Sequence, residues 1–168
     1  VPGGAREHVG AARRRPLFHE LTMDPNLLSA IRLFHFLGMA VWFAGGLGIA
    51  SDVRKTIARG KPHTAILVPR IMRALNIGSI AALVTIATGV GMIFALGGFK
   101  AVQPRIHAGM LLAIITLAVE IMLLKPAAGR LGDALDSGDG RELRPMAGRI
   151  AMFAGITHAL KLVTLVLA

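Results

Sequence analysis

From Leu27 onward, apolar residues come in four long runs, and the polar residues that interrupt them are few and isolated. The runs cover about 27–50, 74–96, 103–124 and 149–168. Each holds around 20 residues, and at ~1.5 Å rise per residue a helix of that length crosses a ~30 Å hydrocarbon core. A soluble helix would keep a polar face for water. These runs keep almost none, so they predict transmembrane helices. The predicted fold class is an all-α integral membrane four-helix bundle, one domain over 23–168, multi-pass in a bacterial inner membrane. Residues 1–22 lack this periodicity and the continuous apolar core of a signal peptide. They are expected to be a disordered tail, or sequence upstream of a start at Met23.

The connections between the runs carry the charge. The first, 51–73, has six basic residues: Arg54, Lys55, Arg59, Lys61, Arg70 and Arg73. The third has five: Lys125, Arg130, Arg141, Arg144 and Arg149. The second has two, Lys100 and Arg105. Basic loops stay on the cytoplasmic side, which places the first and third connections inside and both termini in the periplasm. This distribution accounts for the net charge of +10, so nucleic acid is not an expected partner. The lipid bilayer is, together with a redox partner protein or a second copy of the chain. The chain has no cysteine, which excludes disulfides, thiolate metal sites and a catalytic thiol.

No hydrolytic or nucleotide-binding motif is present. "GGLGIA" lacks the rest of a dinucleotide fingerprint and its strand context. Gly45, Gly46 and Gly48 there, and Gly89 and Gly91 in "TGVGM", instead read as small residues that let helices approach closely in lipid. Catalysis is therefore not the first expectation. If the chain is an enzyme, a haem-dependent membrane oxidoreductase is the class it fits.

Ionisable residues inside the apolar runs carry the functional reading, because such groups are costly in lipid and mark sites. His35 lies about 12 Å below the start of the first run, and His158 and Lys161 about 15 and 10 Å from the end of the fourth. His107 opens the third run. On helical spacing, Arg32, His35, Met39, Trp42 and Gly46 share one face, and His107 and Met110 another. Gly155 is expected to leave room beside His158. Glu120 falls off the His107 face and is expected to pair with Arg73 or reach interfacial water.

Three readings stand. A b-type haem needs neutral imidazoles at similar depth on different helices. His35 and His158 would be its ligands, with His107 as competing second ligand or propionate partner. Arg32 and Lys161, with Arg105 and Lys100, would hold the propionates; Arg32 and Lys161 could equally snorkel to the interface. A copper site would use the same histidines with the thioethers of Met39 and Met110, since imidazole and thioether suit Cu(I). In the third reading the polar residues only knit helices together in a ligand-free assembly subunit.

"IRLFHFLGMAVWFAGGLGIA", with His35, Trp42, Gly45 and Gly46, resembles the first helix of the small bacterial membrane proteins around the CopD-like copper-resistance domain. "TIATGVGMIF" is similar to their Thr-Gly second helix at Thr88 and Gly89, and "RIHAGMLLAI" to the start of their third at His107. The haem-dependent protoporphyrinogen oxidase group is a similar four-helix set with a haem-binding His early in the chain. The resemblance implies a four-helix membrane fold over about 27–168 and a haem or copper role for His35. The oxidase would carry a Lys soon after the position of His107, where this chain has Gly109 and Met110.

Overall fold

A computed structural model describes residues 24–138 and 140–167. The expectation for residues 1–22 lies outside the described residues. The element order is α1 (Pro25–Ala44), α2 (Ile49–Arg59), a 3₁₀ turn (His63–Ile66), α3 (Leu67–Ala95), α4 (Pro104–Val119), a π turn (Glu120–Leu124), α5 (Lys125–Ser137) and α6 (Gly140–Leu167). No strand occurs among the described residues. Four stretches are long and apolar enough to cross a membrane: Pro25–Arg59, His63–Ala95, Pro104–Ser137 and Arg141–Leu167. The protein is an all-α four-helix membrane bundle.

Local sequence sets the helix starts. Pro25 and Pro104 sit in first turns, where a missing N–H costs nothing. Asp24 caps α1 by accepting the Asn26 N–H at 2.8 Å. After α3, Gly97 and Gly98 take φ of 100° and 91°, a conformation that disfavours a Cβ, and so turn the chain into the second connection.

The helices reach further than the apolar runs. Most of the first and third connections, read from sequence as loops, is helical: α2, the start of α3, α5 and the start of α6. The reason is an apolar stripe that persists beneath the charges. Ile49 and Val53, Leu67, Ile71 and Leu75, Leu124, Ala128 and Leu131, and Ile150 form one buried core at this end. Arg54, Lys55 and Arg130 stand on the outer faces of the same helices. At this basic end polar residues face out and apolar residues in, as in a water-soluble bundle. A 35-residue stretch such as Pro25–Arg59 measures about 52 Å if helical throughout, well beyond the hydrocarbon thickness.

Toward the other end the pattern inverts. Leu33, Phe36, Ile80, Leu111 and Val166 are exposed, which suits lipid. The interior holds small and weakly polar residues. Gly38 lies so close to α3 that a Cβ there would be 2.6 Å from Thr85 Oγ1. Buried hydroxyls bond back to carbonyls of their own helices: Ser79 to Leu75, Thr85 to Ala81 and Thr164 to Leu160, at 2.8–2.9 Å. Those bonds leave no hydroxyl stranded and let helices approach.

Of the glycines in the first run, Gly45 lies against α3 as close approach requires: a Cβ there would be 3.6 Å from the Ala74 carbonyl oxygen and 3.7 Å from Gly78 Cα. Gly45 to Gly48 end α1 in a run of turns before α2 begins. A Cβ on Gly48 would meet nothing within 4 Å, so no close contact depends on it.

Candidate functional site

All four spans contribute to one cavity of about 270 Å³ at the end away from the basic cap. His35, Met39 and Trp42 line it from α1, Met92 from α3, Met110 from α4 and Lys161 from α6. The predicted α1 face is thus the cavity face for His35, Met39 and Trp42. Its wall is mostly apolar, with one imidazole and three thioethers.

The His35 ring is held against α3. Nδ1 lies 2.9 Å from the Thr85 carbonyl and 3.1 Å from Thr88 Oγ1. A carbonyl can only accept, so Nδ1 carries the hydrogen. The Thr88 hydroxyl donates to the Val84 carbonyl at 2.6 Å and therefore presents a lone pair to the imidazole. In the neutral ring this leaves Nε2 as the basic nitrogen, the arrangement that orients a metal-ligating histidine. Gly89 makes room for it: a Cβ there would sit 3.2 Å from His35 Cε1.

Below His35, by about two helical turns along α1, lies a buried polar cluster. Lys161 Nζ is 2.5 Å from Glu120 Oε1 and donates to the Trp42 carbonyl at 2.9 Å. Trp42 Nε1 donates to Glu120 Oε2 at 3.0 Å. The ammonium also stands 5.2 Å from the centroid of the Trp42 ring, within cation–π range. Glu120 and Lys161 are 3% and 4% exposed. The Trp42 carbonyl is available because it lies in the last turn of α1, where carbonyls lack partners within the helix. Glu120 opens the π turn, a local widening that often occurs at functional sites. The cluster ties α1, the π turn after α4, and α6 together, and Lys161 and Trp42 belong to the cavity wall.

The other expected residues are placed elsewhere. His158 is level with Phe43 and Gly46: its ring packs on Phe43 at 4.7 Å, and a Gly46 Cβ would lie 3.6 Å from its Nδ1. It does not line the cavity, and Nε2 is buried without a hydrogen-bond partner among the described residues. Phe43 is eight residues beyond His35, about 12 Å along a helix. The structure therefore does not bring His35 and His158 together as an axial pair. α6 is offset along the bundle from α1, so residues equally far from their segment ends do not lie at one level. Gly155 is exposed and a Cβ there would meet nothing, so it makes no room for His158. His107 packs beside Phe99 at 6.0 Å and is off the cavity wall, although its neighbours Ile106 and Met110 are on it. Arg32, Lys100 and Arg105 are exposed. Lys161 does not snorkel, and Glu120 pairs with it rather than with Arg73, which is exposed.

Reasoning from sequence missed the Lys161–Glu120 pair, Met92, and the support that Thr85 and Thr88 give His35. A usable signal existed. Ala154, Thr157, Lys161 and Thr164 are buried on α6, and Ala113, Thr116, Leu117 and Glu120 on the third span. Small and polar residues at three-four spacing mark the inward face of a membrane helix.

Among the described residues no group of three or more His, Cys, Asp or Glu side chains could hold a metal ion. Ligation at the cavity would therefore rest on one imidazole and sulfur. In comparisons with known proteins, no family model, no curated protein and no solved structure matches the chain.

Proposed function

We propose that the chain is a redox or electron-transfer protein of a bacterial inner membrane that carries a b-type haem in the four-helix cavity, with its basic end in the cytoplasm. One observation carries the reading: Nδ1–H of His35 is committed to the Thr85 carbonyl, 2.9 Å away, so a fixed ring on the cavity wall keeps its Nε2 lone pair for a ligand. The donor set fits haem. His35 would hold the iron through its imidazole, and Met39, Met92 or Met110 would supply a thioether. The apolar walls suit a macrocycle, and Lys100 and Arg105, beside the cavity residues Val102 and Ile106, are the cations for its propionates. The resemblance of the first helix to the CopD-like and haem-dependent oxidase group implies a haem or copper role for His35. When bound, the haem supplies one-electron redox chemistry. The protein's part is to hold and orient His35, exclude water with apolar walls, and close the cavity floor with Lys161 and Trp42, which Glu120 holds in place behind it.

A second reading has its own observation. Among the described residues, three thioethers and one imidazole line the same cavity, with no carboxylate on the wall. That is a soft donor set suited to Cu(I). The cavity, at about 270 Å³, lies just under the usual range for ligand pockets, ~300–1,000 Å³, and a single ion asks for less space than a macrocycle.

Protein purified from haem-replete cells should show Soret and α bands in a reduced-minus-oxidised spectrum, with iron on elemental analysis. A colourless preparation containing copper would replace the first reading with the second. A colourless preparation with neither metal would leave the ligand-free assembly role.

A further inference from the structure

A second site lies at the basic end, on the outer surface. A groove of about 210 Å³ runs between the third span and α6. Met122, Pro126 and Arg130 line one side at four-residue spacing, and Met146, Arg149 and Phe153 the other. Both arginines are exposed, and neither has an ion pair or hydrogen bond among the described residues. Among the described residues no carboxylate lines the groove. The contrast is with Arg70, whose guanidinium is held by Asp52 at 2.6 and 2.9 Å.

Position adds to charge. Arg149 opens the apolar run of α6, and Arg130 follows the apolar run of the third span by one to two turns. The exposed Met122 continues the groove toward the lipid-facing belt. One end is thus apolar at acyl-chain level, and the other presents two guanidiniums, unpaired among the described residues, at headgroup level. Guanidinium recognises phosphate oxygens through paired N–H donors, and basic pockets between transmembrane helices bind anionic headgroups. We propose that this groove is a binding site for one anionic glycerophospholipid, its phosphate between Arg130 and Arg149 and an acyl chain along Met122. A zwitterionic lipid meets the same groove less well, because its own cation opposes the two arginines. The site is independent of the cavity and of any cofactor there.

The test is native mass spectrometry of the full chain, released from nanodiscs of dioleoyl phosphatidylglycerol or dioleoyl phosphatidylcholine. Wild type should retain one phosphatidylglycerol at collision energies that strip phosphatidylcholine. Arg130→Gln/Arg149→Gln should lower retained phosphatidylglycerol about tenfold, while Arg54→Gln/Lys55→Gln, on the same end but off the groove, should match wild type. Met122→Trp keeps both arginines and fills the groove from an exposed position. It should also lose the lipid, and it serves as the check if the double arginine variant does not fold. Equal retention of the two lipids by wild type, or unchanged retention in the arginine and tryptophan variants, would overturn the assignment.

Discussion

Lys161 and Glu120 meet at 2.5 Å inside the bundle, joining α6 to the π turn that follows α4. Both charges are out of solvent, so each depends on the other. Removing one partner of a buried pair costs about 3–5 kcal/mol, because the survivor is left uncompensated. Glu120→Leu and Lys161→Met should each destabilise the protein on that scale in denaturant unfolding in detergent micelles. The double variant should be less destabilised than either single one. If both singles unfold like wild type, the pair is not the anchor its geometry implies.

Trp42 adds a neutral donor to the same carboxylate, 3.0 Å from Oε2. Trp42→Phe keeps the backbone carbonyl that Lys161 uses and deletes only the indole donor and some ring area. Hydrogen bonds to charged groups are worth about 1.5–3 kcal/mol, so the loss should fall below that of Glu120→Leu. The same unfolding assay gives the ranking, and the reverse order would contradict it.

Gly38 and Gly91 should respond to alanine in opposite directions. A Cβ on Gly38 would meet Thr85 Oγ1 at 2.6 Å and the Ala81 carbonyl at 3.1 Å, whereas one on Gly91 meets nothing within 4 Å. Gly38→Ala should cost about 1–3 kcal/mol through overpacking of α1 on α3. Gly91→Ala should be neutral or stabilising by up to about 1 kcal/mol, the helical preference of Ala over Gly. Paired melting curves check the difference in sign.

Gly89 tests the seat of His35 more gently. An alanine Cβ there would press on His35 Cε1 at 3.2 Å. Gly89→Ala should therefore lower cofactor retention several-fold, with Gly91→Ala matching wild type. Equal retention by the two variants would mean that the position of the His35 ring does not matter for binding.

Apolar run length made the four-helix fold legible, and three-four spacing identified the α1 face of His35, Met39 and Trp42. The extension of α2 and α5 was hidden by charge. Arg54, Lys55 and Arg130 suggested loops, while Val53, Ala128 and Leu131 kept a helical stripe beneath them. The Lys161–Glu120 pair was hidden for another reason. Depth counted from segment ends carries no information on how helices are offset, and that offset decides whether Lys161 meets Trp42 or His35. It also separates His158 from His35, which spacing within single helices does not reveal.

The most direct measurement is haem per chain in purified wild type, His35→Ala, His107→Ala and His158→Ala, by the pyridine haemochrome assay. With His35 as the sole histidine on the cavity wall among the described residues, the expected result is about one haem per chain in wild type, little in His35→Ala, and near wild-type content in the other two. Wild type without haem, or His35→Ala that retains it, would contradict the proposed role of His35.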